Sequence, residues 1–205
     1  VHTNGQETEF KFYVKDQKKV EARLRSLGAH LIQPRTHEFN LRFDLPNGRL
    51  RRQGRVLRLR QDDQARLTYK GPSRQHEGAL SRQELEFTVG DFDTARQTLE
   101  ALGYQVFAAY EKYRTTYQLG ENLIMLDELP IGDFVEIEGP NVALLIETAH
   151  QLELDEGAAV MASYLALFER LCAQHNLDFS QLTFEALGDV QFFPDELSIN
   201  PADEA

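Results

Sequence analysis

Residues 7–14 read Glu-Thr-Glu-Phe-Lys-Phe-Tyr-Val. Glu7, Glu9 and Lys11 fall on one parity and Phe10, Phe12 and Val14 on the other, the period-two alternation of a strand with one buried face. The pattern returns at 81–89, where Arg82, Glu84 and Glu86 alternate with Leu85, Phe87 and Val89. Alternation predicts further strands at 36–44, 55–61, 65–71, 105–118, 122–127 and 133–138, eight in all. Helical spacing predicts four helices, marked by Val20, Leu24 and Leu27; by Phe92, Ala95, Leu99 and Leu102; by Leu145, Ile146 and Ala149; and by Met161, Tyr164, Leu165, Phe168 and Leu171. Asp16 and Asp91 stand where N-caps belong, and Gly28 and Gly103 where a left-handed residue ends a helix.

The first half of the chain can be laid on the second. Glu7-Thr8-Glu9-Phe10 matches Glu84-Leu85-Glu86-Phe87, the helix ending Ser26-Leu27-Gly28 matches the one ending Ala101-Leu102-Gly103, and Lys70-Gly71-Pro72 matches Glu138-Gly139-Pro140. Each copy reads strand, helix, strand, strand, strand. Two copies predict an α+β fold, a closed eight-stranded antiparallel β-barrel of two pseudo-repeats with helices packed outside, which leaves no sheet edge free. No Gly/Pro/Ser-rich linker divides the copies, so one domain is expected over 1–176, followed by an acidic extension over 177–205. Phe179, Phe184, Phe192 and Phe193 imply that part of the extension docks, while 200–205 is expected to be disordered.

The polar parity of these strands is charged rather than mixed. It carries Glu7, Glu9 and Lys11; Arg58 and Arg60; Arg66, Thr68 and Lys70; Arg82, Glu84 and Glu86; Lys112 and Arg114; Asp127; Glu136 and Glu138. Since the apolar parity must meet the apolar helix stripes, the charged one points into the barrel. A lumen of both signs is costly unless water, metal or an ionic ligand compensates it. A triphosphate suits the bases, held by Arg forks and Lys point charges, and a hard divalent cation suits the acids, with Glu7/Glu9 and Glu136/Glu138 each placing two carboxylates on one face.

The chain's 205 residues have a net charge of −11, which argues against a nucleic-acid surface. Residues 41–82 hold 11 Lys and Arg against 4 acids, and residues 115–205 hold Arg170 alone against 18 acids. The basic run Gly48 to Arg55 is expected to be a solvated hairpin. There is no P-loop motif, no apolar stretch long enough for a membrane helix and no secretory leader at Val1 to Gly5, and the lone Cys172 forms no internal disulfide, so a cytoplasmic protein is expected.

Taken in order, Glu7-Thr8-Glu9-Phe10-Lys11, Leu57-Arg58-Leu59-Arg60, Thr68-Tyr69-Lys70-Gly71-Pro72, Arg82-x-Glu84-x-Glu86, Glu111-Lys112-Tyr113-Arg114, Leu126-Asp127-Glu128 and Glu136-Ile137-Glu138-Gly139 resemble the CYTH family. These triphosphate tunnel metalloenzymes include class IV adenylyl cyclases, thiamine triphosphatases and inorganic triphosphatases. The resemblance implies that Lys11, Arg58, Arg60, Lys70, Arg82, Lys112 and Arg114 grip a triphosphate. It also implies that Glu7, Glu9 and Glu138 hold Mg²⁺ or Mn²⁺, with Asp127 and Glu136 as direct or supporting ligands, and that Glu84 and Glu86 line the tunnel. Glu7, Glu9, Lys11 and Glu138 are the expected catalytic set. The His-Phe of well-characterised class IV cyclases is replaced by Val1-His2, and 115–205 contains no Lys to match the C-terminal Lys of some triphosphatases. The expected function is metal-dependent phosphohydrolysis of tripolyphosphate, ATP or thiamine triphosphate, with an adenylyl cyclase and a non-catalytic polyphosphate-binding module as alternatives. No nucleic acid and no membrane is expected as a partner, and a homodimer is compatible with this reading.

Overall fold

The computed structural model describes residues 6–76, 79–178, 180–188 and 190–204, apart from the side chains of Gln6, Glu7 and His76. The first half runs β1 (Gln6–Val14), α1 (Gln17–Ser26), β2 (His30–Asp44), α2 (Arg49–Arg52), β3 (Val56–Gln61), β4 (Ala65–Lys70) and β5 (Arg74–His76). The second runs β6 (Ala79–Val89), α3 (Phe92–Ala101), β7 (Gln105–Leu119), β8 (Asn122–Leu129), β9 (Gly132–Glu138) and α4 (Val142–Gln151). A 3₁₀ turn at Glu156–Ala158 leads to α5 (Tyr164–His175), β10 (Gln181–Leu182), α6 (Phe184–Leu187) and α7 (Pro194–Leu197).

Eight strands form a closed antiparallel ring in the order β1-β9-β8-β7-β2-β3-β4-β6, with β6 returning to β1. Exchanging β1–β4 for β6–β9 maps this order onto itself, the topological form of the pseudo-repeat. The two self-paired seams differ, so the ring is uneven. β2 and β7 pair from His30–Gln118 to Asp44–Gln105, whereas β1 and β6 pair only from Gln6–Gln83 to Glu9–Leu80. The repeat extends to the helices. Asp16 caps α1 through the amide of Lys19 and Asp91 caps α3 through that of Thr94, and each helix ends before a glycine of positive φ, Gly28 at 77° and Gly103 at 91°.

The apolar parity faces outward, into two clusters. Phe10, Phe12 and Val14 meet Val20 and Leu24 of α1 and Leu145 and Ala149 of α4. Leu41, Phe43 and Leu59 meet Leu99 of α3. A third cluster lies on the inward parity, where Tyr13 and Phe134 meet Leu165, Phe168 and Leu171 of α5. The coverage leaves Leu85 and Phe87 of β6 52 % and 59 % exposed.

Several expectations need correcting. β2 starts at His30 instead of 36, because its first residues are held by β7 across register shifts around Pro34, and a proline masks the local strand signal. The run 48–55 is not a hairpin. It contains helical turn α2, where buried Leu50 anchors the chain and Asp44 accepts hydrogen bonds from the amides of Leu50 and Arg51. The last strong helix starts at Tyr164, since the Ser163 side chain caps it through the amide of Ala166, leaving Met161 outside. The end expected to be disordered is packed: Ala202 is fully buried, its amide donates to the carbonyl of Tyr13, and Asp203 accepts from the amides of Lys15 and Asp16. Of the phenylalanines expected to dock, Phe192 joins the α5 cluster and Phe193 is 63 % exposed, while Phe179 lies outside the described residues, as do Val1, His2 and Ala205.

Gly139, after β9, is pressed against Asn122 of β8, whose amide donates to the carbonyl of Leu144 and to Thr148 Oγ1 and so holds α4 on the ring. A Cβ at 139 would stand 2.0 Å from Asn122 Oδ1. Gly139→Ala is therefore expected to destabilise the fold by about 1–3 kcal/mol, read as a lower urea midpoint with an unchanged slope.

Candidate functional site

The charged parity encloses a cavity of about 750 Å³. β1 supplies Glu9 and Lys11, and β9, antiparallel beside it, supplies Glu138 and Glu136 opposite them in register. β3 adds Arg58 and Arg60, β4 Arg66 and Lys70, and β6 Arg82, Glu84 and Glu86. Lys112 and Arg114 come from β7, and residues 161–166 and Glu169, at and before the start of α5, line one side. Twelve of the fourteen expected site residues thus share one wall. Of the other two, the Glu7 side chain lies outside the described residues, its backbone standing opposite Arg82, and Asp127, on the inward parity of β8, is covered by Tyr164 and does not line the cavity.

Pairing decides how the lumen is charged. Lys11 Nζ lies 3.2 Å from Glu136, Lys70 Nζ 2.9 Å from Glu84, and Arg82 3.6 Å from Glu9. Glu86 receives Arg60 at 3.1 Å, Arg58 at 3.3 Å and the hydroxyl of Thr68 at 2.7 Å. Arg66 bonds Asp62, and Lys112 lies 3.6 Å from Glu38. These are ion pairs withdrawn from solvent, where each charge depends on its partner.

The shifts in acidity follow. Burial would raise the Glu38 carboxyl, but Lys112, Arg114 and Arg60 outweigh it and bring it down to about 2. Burial is likewise overcome at Glu136 by Lys11, Arg114 and Lys112, which hold that carboxyl well below the ordinary range. Lys11 is held above its ordinary value, because Glu136 and Glu9 outweigh its desolvation. Burial drives the Tyr164 hydroxyl well up, and the Asp127 carboxylate adds to the effect.

Asp127 is not disposed as a metal ligand. It is fully buried, and its oxygens accept from Lys112 Nζ at 2.8 Å, from Arg114 Nε at 2.6 Å and from the Tyr164 hydroxyl at 2.8 Å. Its role is to orient two bases and to fasten α5. Glu136 is also committed to bases, Lys11 and Arg114. Glu9, which also pairs with Arg82, and Glu138 stand directly opposite each other at the cavity wall and could hold a cation between them. Among the described residues, no three His, Cys, Asp or Glu side chains form a metal cluster. That donor set fits Mg²⁺ or Mn²⁺, hard ions that take one or two carboxylates and complete their shells with water and phosphate oxygens.

Three features of the site were not foreseen. Glu38, Asn40 and Arg42 share the inward parity of β2, alternating with Phe39, Leu41 and Phe43, so the signal is the same as in the other strands. Tyr110 comes from β7 and interacts with Arg58. Tyr164 faces Lys11, with Nζ 4.4 Å from its ring centre, and only tertiary folding brings α5 there.

A protein of Methanocaldococcus jannaschii named "putative adenylate cyclase" is 28 % identical over 134 residues, 64 % of this chain and 75 % of its own length. The X-ray structure of a Vibrio parahaemolyticus protein of the same name is 25 % identical and superposes with a TM-score of 0.70, covering 78 % of this chain and 96 % of that one. A Hippeastrum protein described as a putative adenylyl cyclase with a dominant triphosphatase activity is 20 % identical and shares the fold at a TM-score of 0.59, over 80 % of this chain and 95 % of its own. The CYTH domain matches residues 5–156, a span that takes in all eight ring strands and every charged residue paired across the lumen, and on that match the chain belongs to the CYTH domain family.

Proposed function

We propose that this chain is a divalent-metal-dependent triphosphatase that hydrolyses an inorganic or organic triphosphate inside the strand ring. The observation that carries this reading is the paired lumen: bases from β1, β3, β4, β6 and β7 meet acids in a cavity of about 750 Å³. That size belongs to small-molecule sites, which span roughly 300–1,000 Å³. A phosphate chain carries the negative charge that Arg58, Arg60, Lys70, Lys11, Lys112 and Arg114 now take from Glu38, Glu84, Glu86, Glu136 and Asp127. The wall is thus already organised for its ligand, and entry exchanges one set of oxygens for another at little reorganisation.

Glu9 and Glu138 would hold Mg²⁺ or Mn²⁺, which when bound neutralises phosphoryl oxygens and lowers the pKa of water. The chain's own residues do the rest. Arg58, Arg60 and Lys70 orient the phosphate chain from one side, and Lys11, Lys112 and Arg114 from the other. Asp127 keeps Lys112 and Arg114 in place, so that charge developing on the phosphoryl oxygens meets fixed cations. Hydrolysis is preferred to cyclisation because both charge systems are present while Val1-His2 replaces the cyclase-type His-Phe. The names of the M. jannaschii and V. parahaemolyticus relatives favour the second reading, conversion of ATP to cyclic AMP and pyrophosphate.

Incubation with Mg²⁺ or Mn²⁺ and either tripolyphosphate or ATP, with products resolved by phosphorus NMR and chromatography, separates the two. Orthophosphate and pyrophosphate from tripolyphosphate, without cyclic AMP from ATP, is the expected result; cyclic AMP with pyrophosphate assigns a cyclase. Glu9→Gln and Glu138→Gln are each expected to lower metal-dependent turnover on the order of 100-fold, and near-normal rates in both remove the metal assignment. Arg58→Ala and Lys70→Ala should each weaken tripolyphosphate binding by about 1.5–3 kcal/mol, measured by calorimetry.

A further inference from the structure

Arg42 breaks the pairing rule of the tunnel. Among the described residues, it is the one half-buried lumen base for which no carboxylate lies within 4 Å. The aromatic ring of Phe107, 5.8 Å from the guanidinium carbon, faces it instead. Its Nε is buried and without a hydrogen-bond partner. It stands opposite Arg58 in the β2–β3 pair, so two guanidinium groups adjoin, and Arg51 brings a third cation to the same wall. Burial pushes Arg42 down to about 10, with Tyr110 opposing the shift and Arg58, Arg82 and Arg51 adding to it. One inward position along β2, Asn40 is fully buried with neither its amide nitrogen nor its oxygen bonded. Such unpaired groups are costly, so a site that keeps them implies a partner not supplied by the chain.

We infer that Arg42 is a substrate-contacting residue that selects for the length of the phosphate chain, the incoming anion providing the counter-charge that the fold withholds. The inference rests on the triphosphate reading. The paired bases hold a chain of two phosphoryl groups by exchanging their acids. A third group, with its added charge, gains the unpaired guanidinium as well, a contact that needs no internal ion pair to be broken.

The test is calorimetric binding of tripolyphosphate and of pyrophosphate to the unmodified protein, Arg42→Gln and Arg42→Lys, with thermal unfolding of each. Arg42→Gln is expected to weaken tripolyphosphate by about 10- to 100-fold and pyrophosphate by less than about 3-fold, with Arg42→Lys between. Because it removes an unpaired charge, Arg42→Gln should unfold without ligand at a temperature no lower than the unmodified protein, yet gain less from tripolyphosphate. Tripolyphosphate binding that Arg42→Gln leaves unchanged, or equal losses for both ligands, overturns the inference alone. No tripolyphosphate binding by the unmodified protein overturns the triphosphate reading and the inference with it.

Discussion

Asp127 has no exposure to solvent, and the geometry of the tunnel follows from how its two carboxyl oxygens are satisfied. Lys112 and Arg114 reach it from β7, and Tyr164 reaches it from the first turn of α5. One carboxylate therefore sets the direction of two lumen bases and brings a helix from outside the ring to the tunnel wall. Removing it would leave two desolvated cations without their principal partner, and breaking a buried pair on one side costs more than the pair contributes to stability. The cluster also joins the two parts of the chain, since β7 and β8 lie inside the repeated unit and α5 lies beyond it.

The same constraint explains the composition of the lumen. A closed ring removes its inward face from bulk water, so each charge placed there needs an opposite charge or a bound ion. Lys11–Glu136, Lys70–Glu84 and Arg82–Glu9 answer that need within the chain. Buried ion pairs of this kind contribute little net stability compared with apolar packing. Stability comes instead from the outward face, where Phe10, Phe12 and Leu59 are almost fully buried under helices. The fold divides its labour between faces: apolar burial outside maintains the ring, and polar pairing inside satisfies the charges of the lumen.

Much of this was readable from periodicity. The alternation at 7–14 and 81–89 identified β1 and β6 as equivalent strands, and the matched caps Asp16 and Asp91 and terminators Gly28 and Gly103 marked the helices of the repeat. Alternation also separates two faces wherever a strand is regular, which is why Arg58, Arg60, Lys112 and Arg114 could be assigned to the lumen. The signal failed where structure is held by a neighbour. The start of β2 depends on β7, the short strands β5 and β10 lie along β6 and β7, and α2 depends on Asp44.

Which residues share a face is legible in the chain's periodicity alone, because side-chain direction repeats every two residues in a strand and every 3.6 in a helix. The sequence also shows that the chain is made twice over, and that its lumen bears both signs of charge. Which acid faces which base is fixed by three-dimensional packing. Ion pairing depends on register across strands and on where a distant helix lands, as Asp127 meeting Tyr164 and Arg42 meeting no carboxylate among the described residues show. Those distances of a few ångströms, set by strand pairing and helix packing over the whole chain, separate a base held by a carboxylate from one that is not.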